Sequence, residues 1–417
     1  MTLPRIEAEW LKDAALQALL QALIGDGDEE ARVVGGAIRN TLLGQAVADI
    51  DIATTALPQT TVERAKAAGF KTVPTGIEHG TVTVVANGRP FEVTTLRQDI
   101  ETNGRHAKVK FGRDWKADAE RRDFTINALY CDAGGTILDL VGGVADIESR
   151  TLRFIGDAES RIEEDFLRIL RFFRFFAWYG EGRPDAAGLR AATRLKAGIE
   201  KLSAERIWTE MRKLLAAPDP SRALLWMRQT GVLSLVLPES EKWGIDAIHG
   251  LIGAEAHFGW HADALLRLES LVPPDPERVA DLAKRWRLSN VERDRLLAFA
   301  SSEPVSPALE DPALRARLYF GDKGGITDRL RLALAVEKAK GETRLAETAV
   351  LSRLLAHAET FSPPPFPVSG ADLQKAGLAP GRELGVALKA LERIWVDSGF
   401  TLVRDRLLAM LPVPGAA

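Results

Sequence analysis

One cysteine in 417 residues, Cys131, excludes an internal disulfide and a cysteine-cluster metal site, and it agrees with a reducing compartment. No apolar run approaches the roughly twenty residues that a membrane span needs. The opening "MTLPRIEAEWLKDAALQALLQALIGDGDEE" mixes acids into an apolar period near that of a helix, so it reads as an amphipathic helix and not as a signal or transit peptide. A cytoplasmic protein is expected. Fixed-period repeats and low-complexity tracts are also lacking.

A strong charge of either sign is missing too. The formal net charge is −3, which by itself does not suggest nucleic acid, although a basic footprint can be local. Residues 105–122 hold seven Lys/Arg against three acids, and residues 150–215 hold fourteen against ten. Each segment is equally compatible with an exposed, solvated face.

The chain has 46% apolar and 27% charged residues, the profile of an ordinary globular protein. Its first 155 residues look mixed: short β-rich runs ("ARVV", "ADIDIAT", "GTVTVVANG", "PFEVTTL") alternate with helical stretches such as "PQTTVERAKAAG". After Gly156 the pattern becomes a succession of amphipathic helices, "AESRIEEDFLRILRFFRFFAWYG" first among them, with Pro-rich breaks at "LVPPDPE" and "FSPPPFP". The expectation is an α+β chain: a mixed-sheet head over 1–155, then helical segments over 156–272 and 273–417.

Four strings carry chemistry. In "VVGGAIRN", Gly35 and Gly36 stand between a strand and a helix, where missing Cβ atoms let backbone N–H groups approach an anion, and Arg39 adds a fork of donors suited to phosphate. The G-x-G-x-x-G dinucleotide pattern is not met, and a plain tight turn is an equal reading. In "ADIDIAT", Asp49 and Asp51 lie at i and i+2, so on a strand both carboxylates face one side while Ile50 faces the core. Two converging carboxylates repel unless a cation sits between them, and oxygen ligands favour Mg²⁺, the usual partner of nucleotidyl transfer. "PFEVTTLRQD" offers Glu92 as a third carboxylate, with Arg97 close by.

In "ERRDFTINALYCD", Arg122 suits phosphate, while Asp123 and Asn127 would share a helical face and could bond ribose hydroxyls. A capping and salt-bridge cluster is the bland alternative. In "IEEDFLRILRFFRFF", Asp165, Arg168, Arg171 and Arg174 recur at three-residue steps on an expected helix, a stripe that winds until Arg174 points away from the others. An Asp accepts hydrogen bonds and an Arg only donates. Together they complement the Watson–Crick edge of cytosine and of adenine, each an exocyclic amine beside a ring-nitrogen acceptor, and mismatch uracil and guanine. A salt-bridged helix fits the same residues, and the phenylalanines and Trp178 among them read as core.

Taken in order and spacing, "GGAIRN", "DID", "EVTTLRQD", "RRDFTINA", "DLVGGVADI" and "EEDFLRILRFFRF" resemble the class II tRNA nucleotidyltransferase and bacterial poly(A) polymerase family of the DNA polymerase β superfamily, over about residues 32–238 including "LSAERIWTEMRKLL". The resemblance implies head, neck, body and tail; a template-independent enzyme adding C and A to tRNA 3′ ends from CTP and ATP; and Mg²⁺ on Asp49 and Asp51. It assigns Gly36 and Arg39 to the triphosphate, Arg122 and Asp123 to the phosphate and ribose side, Asp165 and Arg168 to the base, and Arg171 and Arg174 to further nucleotide contacts. A poly(A) polymerase, an A-only or a CC-only enzyme would keep the same motifs, and a silent RNA-binding protein is the rival from another class.

Three features depart from the family pattern. Asn40 stands where the motif usually ends in Asp, Phe166 stands where Pro commonly follows the Glu-Asp pair, and no His-Asp dipeptide occurs, so the phosphohydrolase domain of some relatives is not expected. The stretch "RQDIETNGRHAKVKFGRDWKADAE" is expected to be an irregular mobile loop, with Arg105 and Lys108 tuning the switch from C to A. The Pro-Gly turn in "GLAPGRELGVALKALERIW" is expected to open a helix.

Overall fold

Val33 and Val34 lie on a strand with both neighbours paired, which is why this short run is apolar without alternation. The computed structural model describes residues 4–103, 106–241, 243 and 245–411. The described residues fall into two compact units, 1–236 and 237–417. The expected boundaries at 155/156 and 272/273 each fall inside one of them.

The first unit is built on a seven-stranded sheet, and the strands in chain order are β1 (Ala31–Val34), β2 (Asp51–Thr54), β3 (Lys71–Gly76), β4 (Thr81–Ala86), β5 (Arg89–Thr95), β6 (Arg97–Asn103), β7 (His106–Phe111), β8 (Leu129–Cys131) and β9 (Ile137–Asp139). The sheet order is β3-β4-β5-β2-β1-β8-β9, with β6 and β7 paired apart. Only β2 and β5 run parallel among the pairs of the large sheet, so the sheet is mixed, as expected.

The helices of this unit are α1 (Ala14–Ile24), α2 (Gly36–Leu42), α3 (Pro58–Ala67), α4 (Trp115–Glu120), α5 (Gly143–Glu148), α6 (Ala158–Glu164), α7 (Leu167–Tyr179), α8 (Ala186–Leu195), α9 (Ala204–Leu215), α10 (Ser221–Gln229) and α11 (Val232–Val236). The amphipathic opening forms α1, shorter than the apolar pattern: Asp13 stops it at its start by accepting the Leu16 N–H at 2.9 Å, a cap worth about 1 kcal/mol. Its buried stripe Leu16, Leu19, Leu20 and Leu23 packs toward the sheet and α3, and Arg64 of α3 donates to the Ile24 carbonyl at 2.9 Å, satisfying the far end of α1.

Two expectations about local structure are corrected here. The charged segment after β5 is not an irregular loop: β6 and β7 pair antiparallel through it from Arg97↔Phe111 to Asn103↔His106, and α4 follows, capped by Asp114. Its charges alternate with Val109 and Phe111, a strand pattern too weak to see without its partner. Arg105 lies outside the described residues. The stretch from Ala158 onward is not one helix but two, broken at Asp165 and Phe166.

Asp139 holds the "DLVGGVADI" turn. Its carboxylate accepts N–H bonds from Gly142, Gly143 and Val144 at 2.8, 3.0 and 2.9 Å, fixing the start of α5. Gly143 has no Cβ because one would collide with the Thr125 carbonyl, and Thr125 is bonded to Asp146 of α5 at 2.6 Å. That close approach sets the backbone of the segment bearing Asp123 and Asn127.

The second unit is helical from Ala247–Phe258 to Arg404–Leu408. One core gathers Leu314, Leu330, Leu334, Leu351 and Leu354, and another gathers Leu373, Leu391, Trp395 and Leu407. Gly381 precedes the helix Arg382–Asp397, as the Pro-Gly reading expected. No helix among the described residues is long and apolar enough to cross a membrane.

Candidate nucleotide site

A cavity of about 520 Å³ opens in the first unit, and ten of the fourteen residues expected at the site line it: Gly35, Gly36, Arg39, Asp51, Arg122, Asp123, Asn127, Asp165, Arg168 and Arg171. That volume lies in the range of small-molecule sites. Asp49, Glu92, Arg97 and Arg174 are not among the lining residues.

The cavity wall begins at the turn from β1 into α2. Gly35 has φ of +74°, a left-handed value that costs a glycine nothing, and a Cβ there would stand 3.3 Å from the Asn127 carbonyl. The Gly35 N–H is donated to the Leu129 carbonyl at 2.9 Å. It is therefore not an anion donor, a correction to the expectation for this residue; the N–H groups at the start of α2, from Gly36 onward, lack carbonyl partners within the helix.

Arg39 is buried at 7% exposure. Its Nε and Nη2 donate to Asn40 Oδ1 at 3.1 and 2.9 Å, its Nη2 also to the Tyr179 hydroxyl at 2.9 Å, and its Nη1 to Asn127 Oδ1. The guanidinium stacks 4.1 Å from the centroid of the Tyr179 ring. Burial lowers its proton affinity from the ordinary arginine value.

Asp51 stands at the exposed start of β2, with Asp49 two residues ahead of it and Ile50 buried between them at 2% exposure. The register pairs Asp51 with Glu92 across the parallel β2–β5 ladder, so these carboxylates are neighbours on one face. Loss of water in the recess, with the charge of Glu92 and then that of Asp49, pushes the Asp51 carboxyl above its ordinary range, against the pull of Arg122. Among the described residues no three His, Cys, Asp or Glu side chains form a ready-made metal cage. A site of two carboxylates with excess negative charge fits Mg²⁺, which takes few protein ligands and completes its shell from water and phosphate.

Asp118 of α4, which the sequence did not single out, anchors the double arginine. Its buried carboxylate takes Arg121 at 2.7 Å, Arg122 at 3.0 Å and the Tyr130 hydroxyl at 2.7 Å. Burial would raise this carboxyl, but the charges of Arg122 and Arg121 outweigh it and hold it below the usual range. Asp123 behaves alike: burial opposes ionisation, while Arg171 (Nε at 2.8 Å), Asn127 (Nδ2 at 3.1 Å) and the Phe124 N–H (2.9 Å) keep it ionised below the ordinary value. The Asp123–Asn127 contact is the one expected, reached through a 3₁₀ turn (Thr125–Asn127) and not an α-helix.

Asp165 and Arg168 do not sit three apart on one helix. Asp165 is extended (φ −157°, ψ 107°) between α6 and α7, because its Oδ1 accepts the Leu167 N–H at 3.1 Å and ends one helix to start the next. Phe166, in the place of the family's proline, has φ of −60°, the value a proline ring would impose, and Gly198 opposite leaves room for its ring. Both functional candidates still reach the cavity. Asp165 Oδ2 accepts from Arg206 Nη2 at 2.6 Å, and Arg168 Nη1 donates to the Arg161 carbonyl at 2.6 Å and to Glu164.

Arg174 leaves the cavity, as its winding implied, and pairs with buried Glu210 of α9. Arg97 turns to the His79 carbonyl. The phenylalanines of α7 are core: Phe154 and Phe172 stack at 5.4 Å and Phe124 lies 5.2 Å from Phe175, which holds α7 against the Asp123 segment so that Arg171 meets Asp123. Arg206 and Glu210 are the functional candidates that sequence reasoning missed, and their signal was the i,i+4 spacing within "AERIWTEM".

Comparison with known proteins follows this geometry. Residues 31–153 match the model of the Poly A polymerase head domain, and residues 186–243 match that of the probable RNA and SrmB-binding site of polymerase A. The mitochondrial CCA tRNA nucleotidyltransferase 1 of Mus musculus is 33% identical over 426 residues, covering 99% of this chain and 93% of the relative. The CCA-adding enzyme of Streptococcus sanguinis is 33% identical over 374 residues, covering 88% and 89%. The crystal structure of the Bacillus stearothermophilus CCA-adding enzyme in complex with CTP superposes with a TM-score of 0.70 at 29% identity over 95% of each chain. The Thermotoga maritima CCA-adding enzyme complexed with tRNA shares the fold, with a TM-score of 0.66 at 20% identity over 97% of this chain and 95% of that one.

Proposed function

The chain belongs to the family of CCA-adding tRNA nucleotidyltransferases, and we propose how its own residues carry out that reaction. It adds C and A to the 3′ end of tRNA from CTP and ATP, releasing pyrophosphate, without a nucleic-acid template. The observation that carries the site assignment is the convergence of ten motif residues from the β1–α2 turn, α2, β2, the Arg122–Asn127 segment, the α6–α7 junction and α7 on one cavity.

Arg39 and the leading N–H groups of α2 receive the triphosphate, where charge develops on the departing pyrophosphate. Asp49 and Asp51 would hold Mg²⁺, with Glu92 adding to the negative field at Asp51. When bound, that ion supplies Lewis-acid activation of the 3′-hydroxyl and neutralises the phosphates. The 3′-hydroxyl gives up its proton to solvent as its oxygen attacks the α-phosphorus in line and the bond to pyrophosphate breaks. Arg122 and Asp123 take the phosphate and ribose side, with Asn127 and Arg171 fixing Asp123.

Asp165 and Arg168 read the base. A carboxylate has about four lone-pair sites and an arginine five N–H groups, so Asp165 can accept an exocyclic amine while bonded to Arg206. Nε and Nη2 of Arg168 are left for a ring nitrogen. Within the chain we assign 1–155 as the catalytic head, 156–272 as neck and body, and 273–417 as tail gripping the RNA, and we assign the protein to the cytoplasm.

The test uses purified protein, Mg²⁺, CTP, ATP and a tRNA transcript ending before the first C. Addition of C, C and A followed by a stop is expected. A long adenine tail, or addition of A alone, would overturn the assignment.

A further inference from the structure

Among the described residues, every hydrogen-bond partner of Arg39 is neutral. Asn40 Oδ1, Asn127 Oδ1 and the Tyr179 hydroxyl take four donor bonds from a guanidinium that is 7% exposed and lines the cavity. An arginine has five N–H groups, so one remains, together with the whole of the charge. The other arginines of the cavity are arranged differently: Arg122 faces Asp118, Arg168 faces Glu164, Arg171 faces Asp123 and Arg206 faces Asp165. Asp123 is the carboxylate nearest in influence to Arg39, and it is already engaged by Arg171 and Asn127.

Asn40 stands where the motif that this sequence resembles usually ends in Asp. The amide does two things that a carboxylate cannot do together. Its Oδ1 holds Arg39 without cancelling the charge, and its Nδ2 donates to the Ala46 carbonyl at 3.0 Å, which ties α2 to the segment leading into Asp49 and Asp51. Tyr179, the last residue of α7, covers the guanidinium with its ring and accepts from Nη2, which positions the cation without neutralising it.

We propose that Asn40 and Tyr179 are positioning residues that keep Arg39 an uncompensated cation for the triphosphate, so that this chain binds the anionic end of its substrate more tightly than an aspartate at position 40 would allow. The proposal rests on the assignment of this cavity to a nucleoside triphosphate. It predicts a base-independent effect, because pyrophosphate alone carries the group that Arg39 meets.

The test compares wild type with Asn40→Asp, which restores the usual family residue and is expected to fold, and with Tyr179→Phe and Tyr179→Ala. ATP, CTP and inorganic pyrophosphate binding are each measured by calorimetry without tRNA, followed by KM and kcat with tRNA. Asn40→Asp should weaken ATP, CTP and pyrophosphate binding in parallel by roughly tenfold, as expected when a carboxylate claims a charge-assisted donor, and lower kcat/KM for ATP and CTP addition by at least the same factor. Tyr179→Phe should retain most of the affinity through the stacked ring, and Tyr179→Ala should lose it. Affinities of Asn40→Asp within twofold of wild type, or an effect confined to one base, would overturn the proposal. Wild-type protein that binds no triphosphate or pyrophosphate would instead overturn the reading of the cavity.

Discussion

The two ends of the cavity hold their arginines in opposite ways. At the end assigned to the triphosphate, Arg39 rests on neutral amides and a phenol; at the end assigned to the base, Arg168 and Arg206 are each held by a carboxylate, Glu164 and Asp165. The first arrangement presents charge, which suits any phosphate. The second presents direction, because an arginine already neutralised contributes the placement of its remaining N–H groups more than its field. A site that must bind two different bases on one polyphosphate needs both.

The largest effect expected is at the carboxylates of β2. Asp49→Ala and Asp51→Ala should each lower the rate of nucleotide addition at least ~10²-fold, a loss of the size seen when electrostatic stabilisation of a transition state is removed, while tRNA binding in a filter or gel-shift assay stays near wild type. A parallel loss of RNA binding would mean that the residues hold the fold of the head and not the chemistry.

A smaller effect is expected at Arg206. Arg206→Ala removes the 2.6 Å bond to Asp165 and leaves only the Leu167 N–H to orient it. Selection of CTP over UTP, measured as a ratio of kcat/KM values, should fall roughly tenfold because a slightly misplaced group loses most of its discrimination. Arg206→Lys should restore part of it. An unchanged ratio would make the pair a purely structural link between the α6–α7 junction and α9.

The smallest expected effect extends the contrast to the second unit. Among the described residues, buried Glu269 has no hydrogen-bond partner for either carboxylate oxygen, and burial, followed by the charge of Asp328, raises its carboxyl well above the ordinary value of 4.5. Folding therefore takes up a proton there: the stability is fully present below the unfolded value and is lost as pH rises through the folded one. Glu269→Gln should match wild type in thermal midpoint at pH 4.5 and exceed it by about 2–4 °C at pH 8. Identical curves at both values would show that Glu269 is ionised and paired in solution. Asp123, whose carboxyl is held low by Arg171, should show the opposite sense, losing stability only as pH falls.

Much of this molecule was legible from its sequence because local pattern and tertiary role coincide. "ARVV" is β1, and the alternation in "TVTVVA" is the burial pattern of β4. What escaped the sequence depends on partners distant in the chain. Asp165 reads as helical because the stretch from Ala158 to Tyr179 carries helical periodicity, yet its own side chain competes for the Leu167 N–H and breaks the helix. Gly35 was read as an anion donor, but the partner of its N–H, the Leu129 carbonyl, lies on β8. Arg206 looked like one charge on an amphipathic surface until the fold brought α9 beside Asp165. Asn40 was visible as a departure, and only the bonds to Arg39 and Ala46 show what the amide does.

The most direct test of the account is a misincorporation assay on the base end. Wild type and Asp165→Ala are given tRNA transcripts ending before the first C, after one C and after CC, with each of the four nucleoside triphosphates singly. The account predicts that wild type uses CTP and then ATP and rejects UTP and GTP, and that Asp165→Ala loses roughly 10²-fold of that discrimination while still binding pyrophosphate normally. Ready use of UTP or GTP by wild type, or full discrimination by Asp165→Ala, would contradict it.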